Sequence, residues 1–130
     1  MSTARLRDVR DALDPLNYLP EREDAVDAGI DPRAWRFARD VLGVIDPAHY
    51  RRGAIAASAL YVASLAVSGE YRMHQPAVGD LVGVSDNAIR RHMSRVAETA
   101  LHEFDVTEYG ADTGVLRHVA RTGKVKNLSW

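Results

Sequence analysis

Apolar positions recur along this chain at helical spacing, and prolines and glycines separate the stretches in which they do. Over Thr3 to Leu13, Leu6, Val9 and Leu13 stand at i, i+3 and i+7 with charges between them, the pattern of an amphipathic helix. Asp14-Pro15 ends it, because a residue before proline avoids the helical region. Residues 15–31, PLNYLPEREDAVDAGID, carry two prolines and a run of acids. They read as a loop with a helical turn near Glu23–Ala28. Asp31-Pro32 then opens a second helix, with a capping carboxylate followed by proline at the first position. Trp35, Ala38, Val41, Leu42 and Ile45 form its apolar stripe, and Asp46-Pro47 closes it.

Gly53 to Ser68, GAIAASALYVASLAVS, has no polar face. A helix apolar all round is buried on most sides, so this stretch predicts the central helix, with Gly69 as its stop. From Pro76 a further helix turns Val78, Leu81 and Val82 inward, and Gly79 permits close approach of the next helix. Gly83 supplies a sharp turn with positive φ, and Val84 anchors that turn in the core. Ser85 caps a long helix with Asp86 in its first turn, where a carboxylate suits the helix dipole. Ile89, Met93, Val96, Ala100 and Phe104 form its inward stripe, leaving Asn87, Arg90, Arg91, Ser94 and Arg95 outward. Beyond it, Val115 to Arg121 predicts a short helix between Gly114 and Gly123. The end, GKVKNLSW, reads as an extended or disordered segment.

The stretch from His74 to Val96 therefore has the grammar of a helix-turn-helix, whose second helix enters the DNA major groove in proteins that use it for recognition. Arg90, Arg91 and Arg95 are candidate DNA contacts, since guanidinium groups bridge guanine edges and hold phosphates. Asn87 pairs with adenine or serves as a local cap. Arg51 and Arg52, just before the central helix, are placed to track the backbone. His92, where such motifs are often apolar, reads as a partly buried, hydrogen-bonded histidine.

Composition changes this picture little. The 130 residues carry a net charge of −1, enough chain for a single core. Residues 1–31 hold eight acids against four arginines, whereas residues 51–130 hold ten Lys and Arg against eight acids. The basic excess falls in the half that contains the helix-turn-helix. The absence of cysteine excludes disulfides, thiolate zinc sites and Cys nucleophiles. The five histidines show no HExxH motif or i, i+4 pair, and the glycines form no phosphate loop. No enzyme, metal or cofactor is therefore expected. No apolar run reaches ~20 residues, and the N-terminus has no apolar h-region. The expectation is a soluble cytoplasmic protein with no membrane partner.

The middle of the chain resembles a known family. GAIAASALYVASLAVSGEYR followed by HQPAVGDLVGVSDNAIRRHMSRV resembles the last three helices of a cyclin-fold repeat of transcription factor B, the archaeal counterpart of TFIIB. The resemblance rests on Gly53, Ile55, Ala56, Ala57, Ala59, Leu60, Tyr61, Ala63 and Ser64. It continues through Gln75, Val78, Gly79, Asp80, Gly83, Val84, Ser85, Ile89 and Arg90. It implies an all-α, five-helix cyclin-like bundle around the Ala-rich central helix, ending in the helix-turn-helix at 75–96. Residues 1–104 would form that domain, and 105–130 a C-terminal extension, a short helix or partly disordered. Base-contacting positions in the family correspond to Asn87, Ala88 and Arg90. The chain carries one repeat where the family has two, and no zinc ribbon. That points to a regulator, or a factor recruited for a narrower role. Double-stranded DNA is the expected partner, read by the helix Asp86–Val96, with basal transcription proteins and a second copy as further partners. The rival expectation is a cyclin-type protein-interaction module without DNA binding of its own.

Overall fold

The computed structural model describes residues 15–45, 52–67 and 75–123. The helix expected over Thr3–Leu13, the stop at Gly69 and the segment GKVKNLSW lie outside these residues. Among the described residues the protein is all-helical, with no strand. A 3-10 turn at Pro15–Tyr18 leads to α1 (Arg22–Asp27) and α2 (Pro32–Val44). The long α3 (Arg52–Val67) follows, then α4 (Gln75–Val82) and α5 (Asp86–Glu103). A second 3-10 turn at Val106–Tyr109 precedes α6 (Thr113–Thr122).

α3 is the axis of the fold. Every residue from Ala54 to Val67 is buried. The helix is covered by α2, α4, α5, α6 and the first 3-10 turn. Its alanines let these neighbours approach closely. Ile55, Leu60, Val62 and Leu65 fill the remaining volume at 1% exposure or less, each contributing about 1.5–3 kcal/mol by burial. One polar atom stands apart in this scheme: the Ser58 hydroxyl is fully buried and has no hydrogen-bond partner among the described residues.

The α2 start is as its sequence dictates. The Asp31 side chain accepts from the Arg33 backbone N–H at 2.8 Å, with Pro32 in the first turn. Ala38, Val41, Leu42 and Ile45 are buried as expected, but Ala34 and Phe37 complete the stripe in place of Trp35. Phe37 is 1% exposed, while Trp35 is only half-buried at the edge of the stripe. The indole N–H of Trp35 donates to the Pro20 carbonyl at 2.8 Å, which holds the preceding loop against α2. A polar N–H that must be satisfied explains why the larger ring lies at the rim.

The segment after Phe104 adds Val106, Tyr109, Val115, Leu116 and Val119 to the same core. Asp112 caps α6 by accepting from Gly114 and Val115 N–H, so the helix begins before Gly114 and that glycine lies inside it. The Asp112 N–H donates to the Ala66 carbonyl at 2.8 Å, tying the segment to the end of α3. Ser94 points toward this helix rather than to solvent, donating to the Ala120 carbonyl at 2.7 Å. The Tyr109 hydroxyl donates to Asp40 Oδ2 at 2.6 Å, with Phe37 and Phe104 edge-on to its ring and the Arg36 guanidinium above it. Burial and the Asp40 carboxylate push the Tyr109 hydroxyl up to about 12.

Two stability outcomes follow from these contacts. Ser58→Ala removes an unpaired buried hydroxyl and adds helix propensity, so urea denaturation should show stabilisation of about 1 kcal/mol. Tyr109→Phe should cost about 1–2 kcal/mol, because a bond to an ionised carboxylate is lost. Because folding raises the Tyr109 pKa, its contribution is complete below the ordinary value of 10.0 and is lost as pH rises toward about 12. The Tyr109→Phe variant should show a flatter alkaline stability profile.

Candidate nucleic-acid interface

The turn between α4 and α5 is built by backbone bonds. Gly83 has φ +89°, a left-handed conformation that glycine adopts without penalty. This lets the N–H groups of Gly83 and Val84 both reach the Gly79 carbonyl, at 2.6 and 2.9 Å. The second of these is the 6→1 bond of a Schellman termination. Two residues later the Ser85 hydroxyl accepts from the Ala88 N–H at 3.3 Å and starts α5. Val78 is fully buried, while Leu81, Val82 and Val84 are half-buried against the core. The inward stripe of α5 is as expected, with Ile89, Met93, Val96 and Ala100 at 1% exposure or less and Phe104 partly buried.

Asn87, Arg91 and Arg95 are all exposed. Successive helical residues turn by ~100°, so these i, i+4, i+8 positions form one row of about 12 Å. Arg90 is exposed too but lies a quarter-turn away, on the flank shared with Ser94. Neither Arg91 nor Arg95 forms an ion pair among the described residues. Their charges are therefore available to an external anion. Further along, the row continues into Glu98 and His102, and the basic character ends there.

Ala88 does not belong to this row. It is half-buried and lines an open groove of about 490 Å³ with Tyr18, Arg52, Gly53, Ala54, Gly83, Val84 and Ser85. Arg51 lies outside the described residues, and Arg52 opens α3 on the groove wall. The N-terminal ends of α3 and α5 thus meet at one groove, each carrying roughly +0.5 of an elementary charge. Gly53 makes this approach possible. A Cβ there would stand 3.3 Å from both the Tyr18 ring and the Val84 side chain. Tyr18 is 44% exposed, and its place beside the start of α5 was not legible in the sequence. It lies some 70 residues from that helix in a stretch that reads only as loop, and no local pattern joins the two.

A smaller depression of about 230 Å³ adjoins, lined by Ala54, Ser85, Asn87, Ala88, Arg91 and His92. His92 is half-buried, as its position implied. Burial first, and then the Arg91 charge, lowers its pKa. The imidazole is thus neutral at neutral pH, and Arg91 is the local cation. Among the described residues no group of three or more His, Asp or Glu side chains is arranged to hold a metal ion. No described helix is long and apolar enough to cross a membrane.

The His92 shift has a testable sign. Its folded pKa is lowered, so the unfolded chain takes up the proton first, and stability is lost as pH falls below the ordinary value of 6.5. Urea midpoints at about pH 7.5 and about pH 5 should differ less in His92→Gln than in the parent chain.

Comparison with protein-family models, with curated proteins and with solved structures returns no match for this chain.

Proposed function

We propose that this chain is a transcription-factor-B-like DNA-binding protein, a regulator of transcription, in which α4, the turn at Gly83 and α5 act as a helix-turn-helix. α3 is then the central helix of a cyclin-like unit, and the helix from Asp86 to Val96 reads the major groove. The observation that carries this reading is the exposed row Asn87, Arg91 and Arg95, whose arginines have no carboxylate partner among the described residues.

The division of labour follows from chemistry. Asn87, in the first turn of α5, is the residue suited to the adenine edge, and Arg91 to a guanine. Arg95, a turn further on, suits a phosphate, because only the early part of such a helix lies deep in the groove. Arg52 and the converging helix ends suit a second phosphate, where backbone N–H groups and helix dipoles favour an anion. Tyr18 flanks that position and offers its hydroxyl to the sugar–phosphate chain. Arg90, on the adjacent flank, suits the opposite wall of the groove.

A module with this few cations binds weakly by itself. Non-specific affinity of order 10⁻⁴–10⁻⁶ M, falling with salt, is the expected range. Fluorescence anisotropy with a labelled duplex at low salt should detect binding. Arg91→Ala/Arg95→Ala should weaken it about tenfold or more and lower the slope of log K against log salt by roughly 2. No binding at low salt, or binding indifferent to these substitutions, would sink the reading in favour of a protein-interaction module.

A further inference from the structure

At the α1–α2 corner, two patches of opposite charge stand side by side and leave each other unpaired. On α1 and its cap, Glu21, Glu23, Asp24 and Asp27 are all exposed, and none forms an ion pair among the described residues. Beside them, Arg22, Arg33, Arg36 and Arg39 surround a depression of about 210 Å³ whose remaining walls are Pro32 and Trp35. Arg33 and Arg39 are held by their sequence neighbours Asp31 and Asp40, at 3.0 and 3.1 Å. Arg22 and Arg36 reach no carboxylate among the described residues. Val26, 38% exposed, is an apolar residue at the edge of the acidic patch, one helical turn after Arg22.

The two patches do not neutralise each other because the core directs them outward. Ala25 and Ala34 are both fully buried, so α1 and α2 each turn their charged sides to solvent. Opposite charges that cannot meet within one chain can meet between two. A two-fold axis beside this corner would lay the acidic patch of one protomer over the arginines of the other, and the reverse, in a single operation.

We infer that this corner is the dimer interface of the protein, with a second copy of the chain as its occupant. Each interface would hold the ionic contact twice. Val26 of each protomer would supply an apolar contact at the partner's depression, beside Trp35. A nucleic acid is a poorer occupant, because four carboxylates next to the arginines repel a phosphate backbone. The contact is mainly ionic and exposed at its rim, so it is weak and salt-sensitive. It does not rest on the DNA-binding reading and is tested without DNA.

Sedimentation velocity of the intact chain at low salt, up to about millimolar protein, should show a monomer–dimer equilibrium that added salt shifts toward monomer. Glu23→Arg/Asp24→Arg and Arg22→Glu/Arg36→Glu should each weaken self-association about tenfold or more, since each makes both halves of the interface repulsive. An equimolar mixture of the two variants should dimerise again, and so should one chain carrying all four changes. Circular dichroism establishes that each variant is folded. A parent chain that stays monomeric throughout overturns the proposal. So do folded reversal variants that associate like the parent, or a mixture that remains monomeric.

Discussion

Fourteen consecutive residues of α3, Ala54 to Val67, have no exposed side. A helix in that position has to be surrounded, and the rest of the chain supplies the surround. α2 and α5 cover it most extensively, and α4, α6 and the first 3-10 turn close the remaining sides. The alanine content makes this possible, since a small side chain lets a neighbouring backbone come near without leaving a void. An axis of large side chains would hold the same neighbours further apart and leave gaps between them.

The candidate interface inherits its geometry from this arrangement. Among the described residues of α3, only Arg52 and Gly53 at its N-terminal end are half-buried and not buried. The start of α5 and the turn after α4 meet it at that point. Gly53 is the contact through which Tyr18, Val84 and α3 come together. The Gly79 carbonyl and Gly83 then determine the direction in which α5 leaves the turn. With its inward stripe held in the core, α5 has no choice about which residues it exposes. Asn87, Arg91 and Arg95 are outward because Ile89, Met93 and Val96 are inward.

At the other end of the molecule, polar contacts do what apolar packing does around α3. Tyr109 brings a hydroxyl into an aromatic cluster, and Asp40 satisfies it at 2.6 Å. This bond joins residues 69 positions apart and fastens the second 3-10 turn to α2. Together with the Asp112–Ala66 and Ser94–Ala120 bonds, it makes α6 part of the core rather than an appendage.

Much of this was legible in the chain alone, and the reason is locality. The Asp31 and Ser85 caps, the positive φ of Gly83, the all-apolar α3 and the inward stripe of α5 each depend on residues within a few positions of one another. So does the placing of Asn87, Arg91 and Arg95 on the exposed side of α5. Tertiary structure decided what depends on neighbours distant in sequence. It buried Phe37 and held Trp35 at the rim, because the indole N–H needed the Pro20 carbonyl. It turned Ser94 toward α6, where the Ala120 carbonyl in the last turn accepts from its hydroxyl. It also brought Tyr18 and Arg52 to the start of α5, and set the acids of α1 beside the arginines of α2 without letting them pair. Periodicity reports which side of a helix is apolar; only the packed chain determines which groups meet across the space between helices.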